Sequence, residues 1–453
     1  MKLLLSTGLF LFILFQGCKA PEKEEAAGPD RKALADTLET LLLQNLLHPW
    51  YPAAIDSVHG GYLSTFDSAF TPVGEQNKMI VSQGRHLWNN SKAALHFPSD
   101  RPYKAYGRHG FEFLRDKMWD ARYGGFFTFV DRMGNPQAEG SKTAYGNSFA
   151  IYGLSAYFLA SGDTAALDLA KKAFLWLETH SHDSVDLGYF QHLSRQGERL
   201  KRQATTPSTS DLGYKDQNSS IHLLEAFTEL YLAWPDPLVK SRLDEMLFLI
   251  RDKIVNDKGN LVLFFQPDWT PVSFADSSRE GILRHHNLDH LSFGHDIETA
   301  YLLMEASHVS GWENDSITWA RAKQMTDQCL VYGWDDTVGG FYDEGYNFRD
   351  APGTTIIRDT KTWWAQAEAL NTLLIMADLY PDDPLHYYDK FLKQWSYIDR
   401  YLIDHKNGDW YDSGLDKNPA AKNRNKGHIW KAVYHQYRSL ENCVVRLREG
   451  SEH

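Results

Sequence analysis

Three histidines in this 453-residue chain stand where proton transfer is chemically reasonable. In Ser292-Phe293-Gly294-His295-Asp296-Ile297-Glu298, read as a helix, His295 and Glu298 lie one turn apart, on the face away from Ile297, Ala300, Tyr301 and Met304. A carboxylate at that spacing can orient the ring and support its charged form, as an acid/base histidine requires. His222 follows Asn218 by one turn in Asn218-Ser219-Ser220-Ile221-His222-Leu223-Leu224-Glu225, and His435 ends Trp430-Lys431-Ala432-Val433-Tyr434-His435. Arg85, Tyr145 and the pair Trp363-Trp364 complete the unusual set. Each has a plain alternative: His295 and Glu298 on a solvated face, His222 as a core histidine beside a Glu225/Glu229 solvent face, Arg85 paired with a loop carboxylate, tryptophans packed. Their placement by the surrounding elements decides between these readings.

Metal chemistry is not expected. His285 and His286 are adjacent and cannot converge on one ion from a helix. His286 and His290, beside Asp289, lack a third ligand at zinc-type spacing. No Gly-rich phosphate loop follows a strand, and no nucleophile-serine motif is present.

The elements repeat. A glycine turn, usually followed by aromatics, recurs at Gly60, Gly124, Gly188, Gly259, Gly339 and Gly408, at intervals of 64, 64, 71, 80 and 69 residues. This is a six-fold internal repeat with drift. A helical pattern precedes each turn (31–47, 103–118, 165–180, 237–254, 316–332 and 386–403). A second, richer in small and aromatic residues, follows it (82–96, 144–160, 219–233, 291–309, 362–379 and 429–447). Short runs such as 125–130 and 261–265 predict small hairpins at one rim. Six helix pairs can form an open solenoid or close into an (α/α)6 barrel, and six is the closing number of that toroid. On closure, the starts of the second helices converge on one mouth, and Arg85, Tyr145, Asn218, His222, His295, Glu298, Trp363, Trp364, Trp430 and His435 would share one pocket. Per-repeat variation of that kind concentrates on a functional face.

A net charge of −12 argues against nucleic acid as the main partner, and 43% hydrophobic residues supply an ample core. The 14 Trp, 23 Tyr and 24 Phe suit sugar-stacking clefts as well as helix packing. Residues 1–17 read as a signal peptide: Lys2, then an apolar run too short for a comfortable membrane span, ending at Phe15-Gln16-Gly17-Cys18. That ending is of lipobox type, so Cys18 is the expected lipidation site, anchoring the chain to the bacterial cell envelope. Ordinary secretion with Cys18 as a free thiol is the alternative. Residues 18–30 read as a flexible tether and 31–453 as one domain. Cys329 and Cys443 sit in helical apolar patterns as buried thiols. A monomer or weak dimer is expected.

Four blocks, Gly294-His295-Asp296-Ile297-Glu298, Asn218 to His222-Leu223-Leu224-Glu225-Ala226, Lys361-Thr362-Trp363-Trp364-Ala365-Gln366-Ala367-Glu368 and Trp430-Lys431 to Tyr434-His435, occur in an order that resembles the N-acylglucosamine 2-epimerase superfamily. The likeness covers 31–453 and is nearest to its cellobiose and mannobiose 2-epimerases. It implies an (α/α)6 barrel that inverts C2 of a reducing-end aldose, with no cofactor and no metal. In that scheme His295 and His435 are the acid/base pair and Glu298 orients His295. Arg85 stabilises an enediolate, and His222, Asn218 and Tyr145 hold the open-chain sugar. Trp363 and Trp430 stack on it, with Trp364 the alternative to Trp363. An aldose–ketose isomerase of the same family is the near alternative. More distant ones are a glycoside hydrolase using a carboxylate pair from Glu298, Glu368, Asp211 and Asp343, and a non-catalytic, lipid-anchored glycan-binding protein.

Overall fold

The computed structural model describes residues 30–98, 102–137 and 140–449. The predicted signal peptide and all of the tether before Asp30, Cys18 included, lie outside them. Twelve principal helices form six pairs. The outer helices are α1 (Arg31–Leu41), α3 (Tyr103–Phe113), α5 (Thr164–His180), α7 (Pro237–Leu249), α9 (Ser316–Tyr332) and α11 (Tyr387–Tyr401). The inner helices are α2 (Ile80–His96), α4 (Ala144–Ser161), α6 (Gln217–Ala233), α8 (Phe293–Val309), α10 (Trp363–Leu379) and α12 (Tyr434–Glu449). The helices α1, α3 and α7 each widen into a π turn at the C-terminal end, at Leu42–Leu47, Leu114–Met118 and Ile250–Ile254. No helix among the described residues is long and apolar enough to cross a membrane.

Burial separates the two rings. In α11 the buried residues (Tyr387, Phe391, Gln394, Tyr397, Ile398) keep helical spacing along one stripe. In α4 every residue from Ala144 to Tyr157 is buried, because it is enclosed by neighbours on both sides and by its outer partner. Glycines set the closest approach: a Cβ on Gly84 of α2 would lie 2.4 Å from the Phe149 carbonyl of α4, and one on Gly153 would lie 2.6 Å from the Gly84 carbonyl. The ring closes where α12 packs on α1, α2 and α10, with Arg448 bridging to Asp36 and Glu39. The solenoid alternative is thereby excluded.

The rim hairpins occur, each closed by a single bridge (Phe66↔Pro72, Val130↔Pro136, Leu193↔Arg199, Phe265↔Pro271). They also join neighbouring repeats. The strand entering an inner helix pairs with the hairpin of the next repeat: β1 (Lys78–Met79) with β2 (Phe129–Val130), β3 (Lys142–Thr143) with β4 (His192–Leu193), and β5 (Lys215–Asp216) with β6 (Phe264–Phe265). In the fourth repeat β7 (Leu291–Ser292) pairs with β8 (Glu344–Tyr346), which continues to β9 (Thr355–Arg358).

A buried lysine anchors most inner-helix starts. Lys78, Lys142, Lys215 and Lys361 stand two residues before their helices and are fully buried. Each donates to an aspartate of the preceding turn: Asp56 (3.0 Å), Asp120 (3.1 Å), Asp183 (2.8 Å) and Asp335 (2.9 Å). Each also donates to a carbonyl of the glycine turn, which completes the coordination that a buried ammonium needs. The sixth repeat uses Lys426 on Asp404 and Lys431 on Asp409. In the fourth, Asn256 and Leu291 replace both partners, so neither charge is stranded.

Candidate active site

The ten residues singled out from the sequence all line one cavity of about 190 Å³ at the rim end of the barrel. They occupy two tiers. The upper tier comes from the first three residues of the inner helices: Tyr145, Asn218, His295, Trp363, Trp364 and His435. The lower tier comes from the sixth residue: Arg85 on α2, His222 on α6 and Glu298 on α8, with Glu368, outside the lining, at the same position of α10. One turn separates the tiers, so both face the barrel axis. Trp430 is the exception. It precedes α12 in a turn rather than starting the helix, and it is 50% exposed, forming the mouth of the cavity.

Each histidine has one ring nitrogen engaged. His222 Nδ1 lies 2.9 Å from Glu225 Oε2, His295 Nδ1 lies 2.7 Å from Ser292 Oγ, and His435 Nδ1 lies 2.7 Å from Glu368 Oε1. A partner at Nδ1 fixes ring orientation and leaves Nε2 for chemistry. The expected pairing of Glu298 with His295 is not formed. Glu298 instead accepts from Arg438 Nη2 (2.6 Å) and stands 3.8 Å from His435 Nδ1, because its face of α8 points across the barrel to α12. The solvated-face alternatives fail as well: Glu225, Glu229 and Glu298 are all buried.

Arg438, one turn after His435, is the hub below the cavity. It binds Glu225 and Tyr434 through Nη1, and Glu298 and Glu368 through Nη2, each of these two at 2.6 Å. Three buried carboxylates therefore share one guanidinium. Burial pushes Glu225 up, but Arg438 and His222 outweigh it and hold that carboxyl at about 2. For Glu368 the balance is reversed: burial, with Glu298 and Glu225 nearby, outweighs Arg438 and raises it to about 8. Burial and the positive field of His222 and His290 lower His295 to about 3; burial, Arg85 and Arg438 take His435 well below the usual imidazole range. At neutral pH both rings are neutral, and the His435–Glu368 pair holds one proton between Nδ1 and Oε1. The grouping of Glu298, Glu368 and His435 has metal-like spacing, but Arg438 already supplies its cation.

Arg85 is held by neutral groups: Nη1 donates to the Trp430 carbonyl (2.9 Å), Nη2 to the Tyr145 hydroxyl (3.3 Å), and the guanidinium lies over the Phe149 and Tyr434 rings. Its charge is free to act on a ligand. Arg85 Nε, Asn218 Oδ1 and Trp363 Nε1 are buried without a protein partner among the described residues. A polyhydroxylated ligand is the kind of molecule that would satisfy them. The Trp364 ring packs against both histidines, 4.7 Å from His295 and 5.7 Å from His435, whereas Trp363 faces His428. Gly294 permits this: a Cβ there would stand 2.7 Å from the Trp364 ring.

The N-acylglucosamine 2-epimerase family model matches residues 61–439. The chain belongs to this family. Among related epimerases, the cellobiose 2-epimerase of Bacteroides fragilis is 27% identical, covering 92% of this chain and 99% of its own. The D-mannose isomerase of Thermobifida fusca is 25% identical, covering 88% and 91%. The structure of cellobiose 2-epimerase from Spirochaeta thermophila superposes with a TM-score of 0.79 at 27% identity, over 94% of this chain and 99% of that one. The (α/α)6 architecture expected from the sequence is thus the family's own.

The sequence reading missed Arg438, Glu225 as a histidine partner, and Ser292. It counted Glu368 only among hydrolase carboxylates. One signal was available: His222–Glu225 and His435–Arg438 share the i,i+3 spacing that drew attention to His295–Glu298.

Proposed function

We propose that this protein is a carbohydrate 2-epimerase acting on the reducing-end aldose of a disaccharide of cellobiose or mannobiose type. The observation that carries the reading is a pair of neutral histidines, His295 and His435, that line one cavity and both pack against Trp364, beside an arginine bound only by neutral groups. Reaction needs an open-chain aldehyde, and the His222–Glu225 pair is placed to move the ring-opening proton. In one direction His295 Nε2 takes the C2 proton while Ser292 holds Nδ1. The electron pair moves into a C1–C2 enediolate, whose charge falls to Arg85 and the Tyr145 hydroxyl. His435 gives a proton to the opposite face of C2 from Nε2, and Glu368 replaces it at Nδ1. In the reverse direction the two histidines exchange roles. Trp363 and Trp364 pack on the reacting sugar, and Trp430 at the mouth suits the second sugar.

The similarity to a D-mannose isomerase favours a second reading, aldose–ketose isomerisation, in which the proton returns to C1. Assigning His295 and His435 to opposite faces of C2, as proposed, favours epimerisation over it. Retaining hydrolysis is disfavoured: Glu298 and Glu368 bind the same Arg438 nitrogen instead of facing each other across the cleft. Incubation with cellobiose or mannobiose in deuterated water, read by NMR, tests the proposal. Deuterium at C2 of the epimeric disaccharide supports it. A ketose supports the second reading, and free monosaccharides would overturn both. The same proposal places the enzyme on the bacterial envelope through a lipid on Cys18.

A further inference from the structure

The fourth repeat carries a segment, residues 266–292, that the other repeats lack at this length. It folds against β8 and β9 by its own contacts. Ser278 caps the short helix Arg279–Arg284, and the His285 ring stacks on Phe274 (3.9 Å, 7°) and bonds Ser208 Oγ (2.9 Å). Asp289 accepts from the Phe274 amide (2.6 Å), the Ser273 hydroxyl (3.1 Å) and the Tyr346 hydroxyl (3.1 Å). The backbone from 285 to 290 is thereby fixed without any ligand.

On this scaffold the β7–β8 ladder pairs Ser292 with Glu344 and brings that carboxylate beside His286 and His290. His286 Nδ1 lies 3.0 Å from Glu344 Oε2, while Arg358 Nη1 holds the other oxygen, Oε1, at 2.8 Å. The carboxylate is therefore aimed. His290 Nδ1 faces the His286 carbonyl and donates to it, which leaves the Nε2 lone pair uncommitted. A backbone acceptor on the far nitrogen is the usual way a metal-binding imidazole is oriented. One donor atom from each of His286, His290 and Glu344 lies within 4.8 Å of the other two. A tetrahedral zinc ion spaces its ligands about 3.3 Å apart, so the set would close by up to about 1.5 Å on binding.

We infer that His286, His290 and Glu344 form a binding site for one divalent transition-metal ion of the zinc class, with a fourth position left to water. Two imidazoles and one carboxylate select zinc, cobalt or nickel over magnesium or calcium, which take oxygen ligands. His286 and His290 share a helical spacing visible in the sequence. The third ligand is 54 residues further on and is delivered only by strand pairing. The ion would serve the rim, tying the fourth-repeat segment to β8.

The test uses the full chain after chelator treatment and dialysis, with Co²⁺ alone as the probe and no sugar, so it stands apart from the epimerase reading. One equivalent of Co²⁺ should produce a visible d–d absorption band that one equivalent of Zn²⁺ abolishes. His290→Asn and Glu344→Gln should each weaken Zn²⁺ binding at least about tenfold. His405→Asn, exposed beside Asp399 at the end of α11, should bind as the parent does. His286→Asn serves in place of either variant that does not fold. Absence of a stoichiometric band, or equal affinity in the parent and the His290 and Glu344 variants, would overturn the inference.

Discussion

Replacing Glu368 by Gln separates proton traffic from structure. At pH 7 a carboxyl raised by burial to about 8 is mostly protonated, so Gln reproduces the shape and charge of the resting side chain. Arg438 keeps Glu225 and Glu298, and the charge around it barely changes. Stability at pH 7 should therefore stay within about 1 kcal/mol of the parent. Turnover should not. Gln cannot return a proton to His435 Nδ1, and losing an acid/base partner typically lowers rate 10²–10⁴-fold, roughly 3–5 kcal/mol of barrier. The pH dependence supplies an internal control. The folded parent keeps a proton on Glu368 that the unfolded chain releases between 4.5 and about 8, so this group's contribution is fully present below 4.5 and is lost as pH rises through that window. Asp296 and Glu305, both raised by burial to about 7, act in the same direction but remain in both proteins. The parent should thus lose stability from pH 6.5 to 8 relative to E368Q, by about 1–2 kcal/mol. Chemical denaturation at three pH values and steady-state epimerisation provide both readouts. A variant that turns over within threefold of the parent, or that loses several kcal/mol at pH 7, would refute the shared-proton account.

Other expectations follow from the same geometry. Arg438→Met leaves three buried carboxylates without their cation and should cost about 3–5 kcal/mol in denaturant titration, recovered in part at low pH. Gly294→Ala drives a methyl group into the Trp364 ring; with that ring packed against both His295 and His435, kcat should fall up to about 100-fold, more than thermal stability suffers. Separately, the proposed lipid on Cys18 predicts that Cys18→Ala leaves the protein in the soluble fraction of expressing cells while the parent sediments with membranes, with sugar turnover unchanged.

The repeat and the cavity were legible because both are properties of single segments. Glycine turns mark the phase of each repeat, and that phase places Tyr145, Asn218, His295 and His435 at equivalent helix starts. Pairings across the barrel were not. The spacing of His295 and Glu298 fixes their angle about α8, but says nothing of what α8 faces, and what it faces is Arg438 on α12. The same limit hid Glu368 from His435 and Glu344 from His286, each partner reaching its histidine from another repeat. Trp430 was misplaced onto a helix because its aromatic pattern continues into α12, while the Lys431 ammonium bonds the Trp410 and Lys426 carbonyls and holds that stretch as a turn. The buried lysines were visible at constant offset before the inner helices, and their recurrence was an unused signal of repeat phase.

The central claim is a proton relay with a different base on each face of C2. Its most direct test is the early-time isotope pattern for cellobiose in deuterated water, followed by NMR before a tenth of the sugar has converted. Two bases predict deuterium at C2 of the product epimer, while recovered cellobiose still carries protium. Equal labelling of recovered cellobiose and product, or an epimer that forms with no solvent deuterium at C2, would contradict the account.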